Sequence, residues 1–252
     1  GVAGASTLDR LLPGLGATWR LDADTTFFAS IHRGFAPPRV EDLIGGTGTV
    51  TDVGAEDSIN LEAGDQMLRY DFDTLIAVGS IAGGGTPLSQ GEALFQGAEL
   101  GVQARLDGGF RSRLAYTWVA TAEQTTPFIN VATKSAVAGS VAGNRQPYAP
   151  QHLLTAAAGW SGGAFELELE AQHVGRQYSD FANTVAPTAD GQRGEIASYL
   201  VWNVAVNYRA SASVSVFATV KNLADRTYIT DRTRGIQIGM PRLLQVGARY
   251  TF

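Results

Sequence analysis

The sequence has no cysteine, few prolines and no long apolar run. Its 252 residues contain nine prolines and two methionines. Without cysteine, disulfide bonds and thiol chemistry are excluded, although this fits many cellular compartments. No apolar run reaches the roughly 18 residues that a membrane-spanning helix requires, which excludes such a helix but leaves membrane-spanning strands open. The mean hydropathy of −0.01 does not separate a soluble from a membrane protein.

The charge and the first residues narrow the possibilities further. A formal net charge of −5 argues against nucleic acid as the main partner. The chain begins at Gly1, without a basic and then apolar leader, so we interpret this end as cut or processed, with any secretion signal outside it. Thirty glycines are typical of a protein built from strands and turns.

The last eleven residues have the clearest pattern in the chain. Within Arg242 to Phe252, the apolar or aromatic residues Val246, Ala248, Tyr250 and Phe252 alternate with polar or small residues from Gln245 to Thr251. This period of two predicts a strand with one apolar and one polar face. A soluble domain rarely ends on an aromatic residue of the apolar face, because chain ends are usually frayed and polar. An outer-membrane β-barrel needs a well-formed last strand, since no strand edge can stay unpaired in lipid.

The same alternation continues through most of the chain. It predicts about eleven strands, which cover residues 15–21, 25–33, 59–63, 68–78, 98–106, 110–118, 152–160, 165–171, 200–208, 214–220 and 242–252. Short turns are predicted at 22–24, 64–66, 107–109, 161–163 and 210–213. Long loops are predicted at 34–56, 79–91, 121–150, 178–194 and 222–241.

Short turns therefore alternate with long loops. A soluble β-sandwich has no reason to sort its connections in this way, whereas outer-membrane barrels have short periplasmic turns and long extracellular loops. The polar faces support this interpretation, because a row with Glu166, Glu168 and Glu170 is too costly in lipid but suits a water-filled lumen. The sequence thus predicts an all-β fold, an antiparallel transmembrane β-barrel. Bacterial single-chain barrels have even strand numbers, so about eleven strands suggest that an N-terminal part is missing.

Several segments resemble TonB-dependent outer-membrane receptors. They are Phe28 to Pro38 (FASIHRGFAPP), Gly143 to His152 (GNRQPYAPQH), Lys221 to Tyr228 (KNLADRTY) and the terminal Phe252. Within this family, Asp71 to Leu106 and Tyr228 to Arg242 are similar to receptors of the ferric dicitrate type. Ser58 to Tyr70 departs from the family pattern, because it is too short for two full membrane strands and their turn.

This resemblance implies a fold, partners and a cellular location. Residues 1–252 would form the C-terminal section, about half, of a 22-stranded barrel whose plug domain and TonB-contacting box lie outside the chain. The expected partners are a ferric chelate, TonB–ExbB–ExbD acting through the plug, outer-membrane lipid, and the barrel-assembly machinery, which would recognise Tyr250 and Phe252. The expected location is the bacterial outer membrane. No cofactor, resident metal or enzymatic activity is expected, and iron would be present only within the transported chelate.

A receptor for an anionic chelate needs cations and hydrogen-bond donors at its outer mouth. Loop arginines can instead be solvated or paired with acids such as Asp180, Asp190 or Asp231. Of the candidates, Arg232 and Arg234 are favoured because they lie in the segment that resembles the dicitrate receptors. The full set of predicted ligand-binding residues is Arg33, Arg145, Gln146, Arg176, Gln177, Arg193, Arg232 and Arg234.

Other residue patterns favour structural over chemical roles. His32, His152 and His173 have no metal-ligand spacing and are expected at strand ends. The glutamate row is expected to be a hydrated lumen wall that contacts the plug, rather than a cation site or catalytic carboxylate pair. Aromatic residues near strand ends are expected in membrane-interface girdles rather than in sugar-stacking platforms. These are Trp19, Tyr116, Trp118, Trp160, Trp202, Tyr208, Tyr250 and Phe252.

The alternatives differ in cargo or in class. A TonB-dependent receptor could import a vitamin, another metal complex or an oligosaccharide, and a passive porin would lack a plug. A barrel protease or lipase would need a catalytic set at the rim, but no nucleophile elbow or phosphate loop is present. A soluble β-sandwich binding module would dissolve without detergent.

Overall fold

The computed structural model describes residues 10–21, 26–37, 55–63, 67–78, 88–233 and 235–251. Several predicted features lie outside these residues, namely Arg234, Phe252, the turns at 22–24 and 64–66, and most of the loops at 34–56 and 79–91. The described residues are strands and loops, with a single 3-10 turn at Asp107–Gly109. Within these ranges, no helix is long and apolar enough to cross a membrane.

Eleven strands follow one another in a single antiparallel sheet, which confirms the predicted number and fold class. Each strand pairs with the previous and next strand of the set, so the chain meanders across the sheet. The strands of this main sheet are β1 (Gly14–Arg20), β2 (Thr26–Ala36), β3 (Glu56–Ala63), β4 (Met67–Val78), β5 (Leu88–Leu106), β6 (Phe110–Gln124), β8 (His152–Gly162), β9 (Phe165–Val174), β12 (Tyr199–Arg209), β13 (Val214–Lys221) and β16 (Leu243–Tyr250).

Five short strands belong to the long loops. One of them, β7 (Ile129–Asn130), pairs with the start of β5. The others form two small hairpins, β10 (Gln177–Tyr178) with β11 (Glu195–Ile196), and β14 (Ile229–Asp231) with β15 (Gln237–Ile238). The strands of the main sheet all end at two opposite borders. We call the border that carries these loops the loop end, and the border that carries the short turns the turn end.

Several predicted connections are too long, because strands extend into them. β2 continues to Ala36, β5 begins at Leu88 and β6 continues to Gln124. These segments include glycine, serine and threonine, which are common in loops, but ladder pairing with their neighbours holds them extended. The predicted turn at 161–163 is also wrong, since β8 includes Gly162 and β9 begins at Phe165.

The two faces of the sheet differ sharply in charge. Because side chains alternate along a strand, register places Ala98, Leu167, Trp202, Val216 and Val246 on one face, here the apolar face. The residues of β8, β9, β12, β13 and β16 on this face include no Asp, Glu, Lys or Arg, whereas β2 and β4 carry Arg33, Arg69 and Asp71 on it and Glu123 of β6 lies opposite Leu94. The other face, here the polar face, carries the glutamate row.

Among the described residues, no second layer packs on the apolar face. The exposed fractions of Leu167, Trp202, Val216 and Val246 are 39%, 38%, 39% and 67%. In a soluble sandwich these side chains would be buried against another sheet. The structure therefore has the face arrangement that the sequence predicts for a barrel wall.

The β3–β4 hairpin ends early and leaves a notch in the wall. At its last pairs, Ala63 lies opposite Met67 and Met67 opposite Ala98. β5 continues eight residues beyond Ala98, to Leu106, and there it pairs only with β6 among the described residues. Eight strand residues span about 26 Å, so one edge of β5 is open over that length. The short segment noted in the sequence therefore forms a pair of strands, but a truncated one.

Candidate functional site

An ionic ladder crosses the polar face near the turn end. Arg111 Nη2 lies 3.0 Å from a carboxylate oxygen of Glu166 and 3.3 Å from one of Glu168. Arg113 Nη2 lies 3.1 Å from a Glu170 oxygen, and the Asn203 amide also donates to Glu170 at 3.1 Å. The glutamate row is therefore balanced by arginines of β6 rather than left as an open cation site.

Small residues of β8 make this ladder possible. Arg111 on β6 lies opposite Gly159 on β8, and Gly159 lies opposite Glu168 on β9. A Cβ atom on Gly159 would lie 2.6 Å from Arg111 Nε. Without a side chain at this position, Arg111 can extend across β8 to reach carboxylates two strands away.

An open cavity of about 450 Å³ adjoins the ladder. It is lined by charged and polar groups together with one aromatic ring, from residues that include Arg111, Glu166, Glu168, Asn207, Phe217 and Arg249. Phe217 lies on the polar face and covers Gly247 of the neighbouring strand. The polar face of the wall is thus mainly charged and polar here, but it also carries an aromatic side chain.

At the loop end, three long connections fold over the polar face and pack on one another. They span residues 125–151, 175–198 and 222–242, and we call them loops A, B and C. The Phe128 ring of loop A lies on Gly91 of β5 and stacks at 4.7 Å on Phe181 of loop B. The six largest fully buried side chains lie in these loops or next to them, namely Phe128, Ile196, Gln124, Asn222, Asp180 and Ser179.

Tyr148 joins the three loops at what we call the loop junction. Its backbone N–H donates to the Tyr178 carbonyl of loop B at 2.8 Å. Its hydroxyl accepts the backbone N–H of Arg232 in loop C at 3.2 Å and lies 3.1 Å from Thr233 Oγ1. The φ of Tyr148 is 55°, a left-handed value that is uncommon for an aromatic residue. Strained backbone of this kind is often associated with binding sites.

Arg232 is the buried cation of this junction. Only 4% of it is exposed, and its Nη1 donates to the Gly191 carbonyl of loop B at 3.0 Å. Its Nε has no hydrogen-bond partner among the described residues. A buried guanidinium without a carboxylate partner is costly, so this position favours an added anion or polar group.

Arg145 and Gln146 of loop A hold the chain in place. The Arg145 guanidinium donates to the carbonyls of Ala149 at 2.6 Å and Val119 at 2.8 Å. Burial is the main cause that lowers the pKa of Arg145, while nearby Glu123 opposes it. Gln146 is buried, and its side-chain amide nitrogen is also unpartnered.

The remaining predicted ligand residues occupy varied positions. Arg176 is exposed and pairs with Glu195 at 3.5 Å, whereas Gln177 is buried in β10. Arg193 is half-buried beside Asp190 in loop B. Arg33 stands apart from the loop junction, since register places it on the apolar face with Ile31 and Ile59. Ligand binding by these residues stays a prediction.

Two acids of the loops are held ionised. Burial raises the pKa of Asp231, but hydrogen bonds from Thr233, Tyr148 and the backbone N–H of Arg232 outweigh it and hold the value below its ordinary range. At Asp190, the Thr188 hydroxyl is the main cause of a lowered pKa, with help from the Gln192 backbone. Burial likewise raises the pKa of the Tyr148 hydroxyl, which therefore stays protonated at neutral pH.

The strand-end prediction is confirmed for some residues and wrong for others. Those near strand ends are Trp19, His152, Trp160, His173, Tyr208 and Tyr250, whereas His32, Tyr116, Trp118 and Trp202 lie inside strands. His32 Nε2 lies 2.9 Å from the Asn60 amide nitrogen, and His152 Nδ1 lies 2.8 Å from the Tyr116 hydroxyl. Across the described ranges, no three His, Asp or Glu residues come together as metal ligands. On the apolar face, Phe165 and Tyr208 pack at 4.8 Å near the turn end, while Tyr116 and Trp118 lie towards the loop end.

Sequence reasoning missed most residues that build the loop junction. Neither Tyr148 nor the asparagines were identified as structural centres. Asn183 exchanges hydrogen bonds with the backbone of Arg145, and Asn222 donates to the carbonyls of Arg226 and Met240. Both asparagines have positive φ, a preference that gives a weak sequence signal inside long loops.

Comparison with known proteins agrees with this architecture. The sequence model described as TonB dependent receptor-like, beta-barrel matches residues 2–223, which is well over half of the chain. The structure is similar to the ferric citrate transporter FecA in its unliganded form, with a TM-score of 0.63 at 19% identity over 94% of this chain and 38% of that one. It is also similar to the ferric yersiniabactin uptake receptor FyuA from Yersinia pestis, with a TM-score of 0.63 at 20% identity over 96% of this chain and 37% of that one.

A third similar structure is the copper transporter OprC, with a TM-score of 0.60 at 17% identity over 91% of this chain and 37% of that one. The chain thus spans less than two fifths of the length of each of these proteins. At such identities the similarity establishes the fold, whereas the family follows from the sequence match. The family consists of outer-membrane receptors and transporters rather than enzymes. The chain belongs to the TonB-dependent receptor family and forms a section of its β-barrel.

Proposed function

We propose that the chain is the outer wall and mouth of an active-transport receptor that imports an anionic ferric chelate, such as a siderophore or ferric citrate. Loops A, B and C would bind the chelate, the polar face would surround a plug, and TonB–ExbB–ExbD would supply energy through that plug. The observation that carries this proposal is Arg232, a buried cation at the loop junction with an unpartnered Nε. A carboxylate or catecholate oxygen is the kind of group that would complete its hydrogen bonds.

Two further features support an anionic ligand. Arg232 lies at the place where three loops meet over the polar face, so a ligand bound there would contact all three. FecA and FyuA, which share the fold, are described as ferric citrate and ferric yersiniabactin receptors. We do not include Arg33 in the proposed chelate site, because it lies on the opposite face of the sheet.

The test uses the full-length receptor and the two favoured arginines. Replacing Arg232 and Arg234 by glutamine should weaken ferric citrate or siderophore binding by about ten- to a hundredfold, since hydrogen bonds to charged groups are being removed. Calorimetry or intrinsic fluorescence would measure the dissociation constant. Lys134→Gln, a cation on loop A outside the proposed site, is the matched control. Unchanged affinity in the double variant would show that these arginines do not bind the chelate.

A second cargo class follows from the similarity to OprC, which is described as a copper transporter. The same fold could carry a different metal complex, a vitamin or an oligosaccharide. Competition between ferric chelates, copper and these solutes on one purified receptor would separate the cargo classes. Uptake that persists in cells without TonB would instead favour a passive channel and contradict energised transport.

A further inference from the structure

An apolar groove opens on the outside of the wall, away from the loop junction. It has a volume of about 370 Å³ and lies across β1, β2 and β3 on the apolar face near the loop end. Its apolar lining comes from Pro13, Leu15, Ile31 and Ile59. Leu15, Ile31 and Ile59 are 76%, 48% and 51% exposed, so the groove is open to its surroundings.

A cation lies at the loop-end side of this groove. Arg33 lines the groove, and its side chain is 43% exposed. Its Nη2 lies 3.3 Å from Asp57 Oδ1, while Arg10 Nε lies 3.6 Å from the other oxygen of the same carboxylate. The remaining donors of the Arg33 guanidinium, Nε and Nη1, have no side-chain or backbone acceptor in the described part of the chain. Arg33 is the more exposed partner of this pair, since the Asp57 side chain is only 15% exposed.

The other cations near the apolar face do not line this groove. Arg69 lies on that face and pairs with Asp71 at 3.3 Å. Arg242 pairs with Asp225 at 3.7 Å at the far edge of the sheet. Arg69 therefore carries the charge without lining the groove, which makes it a natural control.

We infer that the groove binds an anionic lipid, with an acyl chain against Leu15, Ile31 and Ile59 and the phosphate at Arg33. The arrangement matches the polarity of such a lipid, because the cation lies towards the loops and the apolar cleft extends towards the middle of the wall. Arginine suits a phosphate group, since its planar fork can donate two hydrogen bonds at once. The inference rests on the proposed function, which places the loops outermost and therefore the lipid in the outer leaflet.

The chemistry predicts opposite effects for two neighbouring substitutions. Arg33→Gln removes the cation and should weaken retention of the lipid about fivefold, the effect expected for one arginine at an anionic membrane surface. Asp57→Asn removes the carboxylate that competes with the phosphate for Arg33 and should strengthen retention. If the Arg33–Asp57 pair served only to hold β2 and β3 together, both substitutions would act in the same direction.

The experiment uses the full-length receptor in detergent with an equal mixture of phosphatidylglycerol and phosphatidylcholine that have identical acyl chains. Native mass spectrometry would count the lipids retained by the wild type and by Arg33→Gln, Asp57→Asn and Arg69→Gln. We expect preferential retention of phosphatidylglycerol, a decrease with Arg33→Gln, an increase with Asp57→Asn and no change with Arg69→Gln. Added inorganic phosphate should not displace the lipid at equal concentration, since it has no chain for the groove.

Three results would overturn the inference: equal retention of the two lipids, equal retention by wild type and Arg33→Gln, or full displacement by inorganic phosphate. The last would indicate a simple anion site. Chelate affinity measured on the same wild-type preparation separates this failure from failure of the proposed function. If that preparation binds its chelate but shows no lipid preference, only the lipid site is wrong.

Discussion

At the scale of single residues, context decides whether an arginine is a ligand or a structural clamp. Arg145 and Arg232 have the same side chain and both lie in long loops. Arg145 donates to two backbone carbonyls, whereas Arg232 donates to one and keeps an unpartnered Nε. Sequence reasoning could identify both as candidates but could not separate them, because the carbonyls that Arg145 contacts are fixed by loop packing.

Asp231 should make the loop junction sensitive to acid. Its pKa is lowered in the folded protein, so the ionised form of Asp231 stabilises the fold at pH values above its pKa in the unfolded chain. This contribution is lost as the pH falls below about 4 and through the folded pKa. We expect Asp231→Asn to increase hydrogen exchange of residues 229–238 at pH 7. The difference from wild type should disappear when the pH falls below the folded pKa, because wild-type Asp231 is then also uncharged.

Asp107→Asn, at the turn end, is the control for this experiment and should leave exchange of residues 229–238 unchanged. A difference between Asp231→Asn and wild type that persists after wild-type Asp231 has been titrated to its neutral form would contradict an electrostatic role. It would point instead to the shape of the side chain.

At the scale of secondary-structure elements, alternation predicted strands well and their ends poorly. Most of the main strands could be located from a period of two, whereas β3 and β4 lie in the least regular part of the sequence. The ends of β2, β5 and β6 were placed wrongly, since pairing with neighbours, which the sequence does not reveal, extends these strands into segments predicted as loops. The loops were the hardest part, because their packing depends on single contacts such as that between Phe128 and Phe181.

Gly159 is the residue of β8 on which the ionic ladder depends. Gly159→Val should displace Arg111 from Glu168 and lower the stability of the barrel by about 1–3 kcal/mol, as expected for overpacking. The matched control is Gly101→Val, because a Cβ at Gly101 would meet no atom within 4 Å. Thermal unfolding of the full-length receptor in detergent measures both. Equal stability of the Gly159 and Gly101 variants would show that Arg111 can reach its carboxylates by another route.

The notch beside β5 should be visible in amide exchange. β8 is paired along both edges from Leu153 to Trp160, but among the described residues β5 is paired only with β6 from Glu99 to Leu106. In the full-length receptor in detergent, alternate amides of residues 99–106 should therefore exchange faster than those of β8. Residue-resolved exchange mass spectrometry would test this, and uniform protection of β5 would mean that another segment covers the notch.

At the scale of the whole molecule, the two faces of the sheet define what the chain can be. A wall with a mainly apolar face, on which the charged groups Arg33, Arg69 and Asp71 lie in β2 and β4, and a charged polar face fits between lipid and water, as family membership requires. The sequence predicted this arrangement because alternate residues of each strand are apolar or polar according to the environment that they face. The cargo could not be predicted in this way, since it would be bound by a few loop side chains whose positions depend on the packing of three loops.

The central claim is that the apolar face contacts lipid and the polar face contacts water. The most direct measurement is spin-label accessibility along β9 in the full-length receptor reconstituted in a bilayer, and this chain has no native cysteine to interfere. Labels at Phe165, Leu167 and Leu169 should collide mainly with dissolved oxygen, while labels at Glu166, Glu168 and Glu170 should collide mainly with a water-soluble nickel complex. Accessibility without a period of two, or with the two sets reversed, would contradict the account.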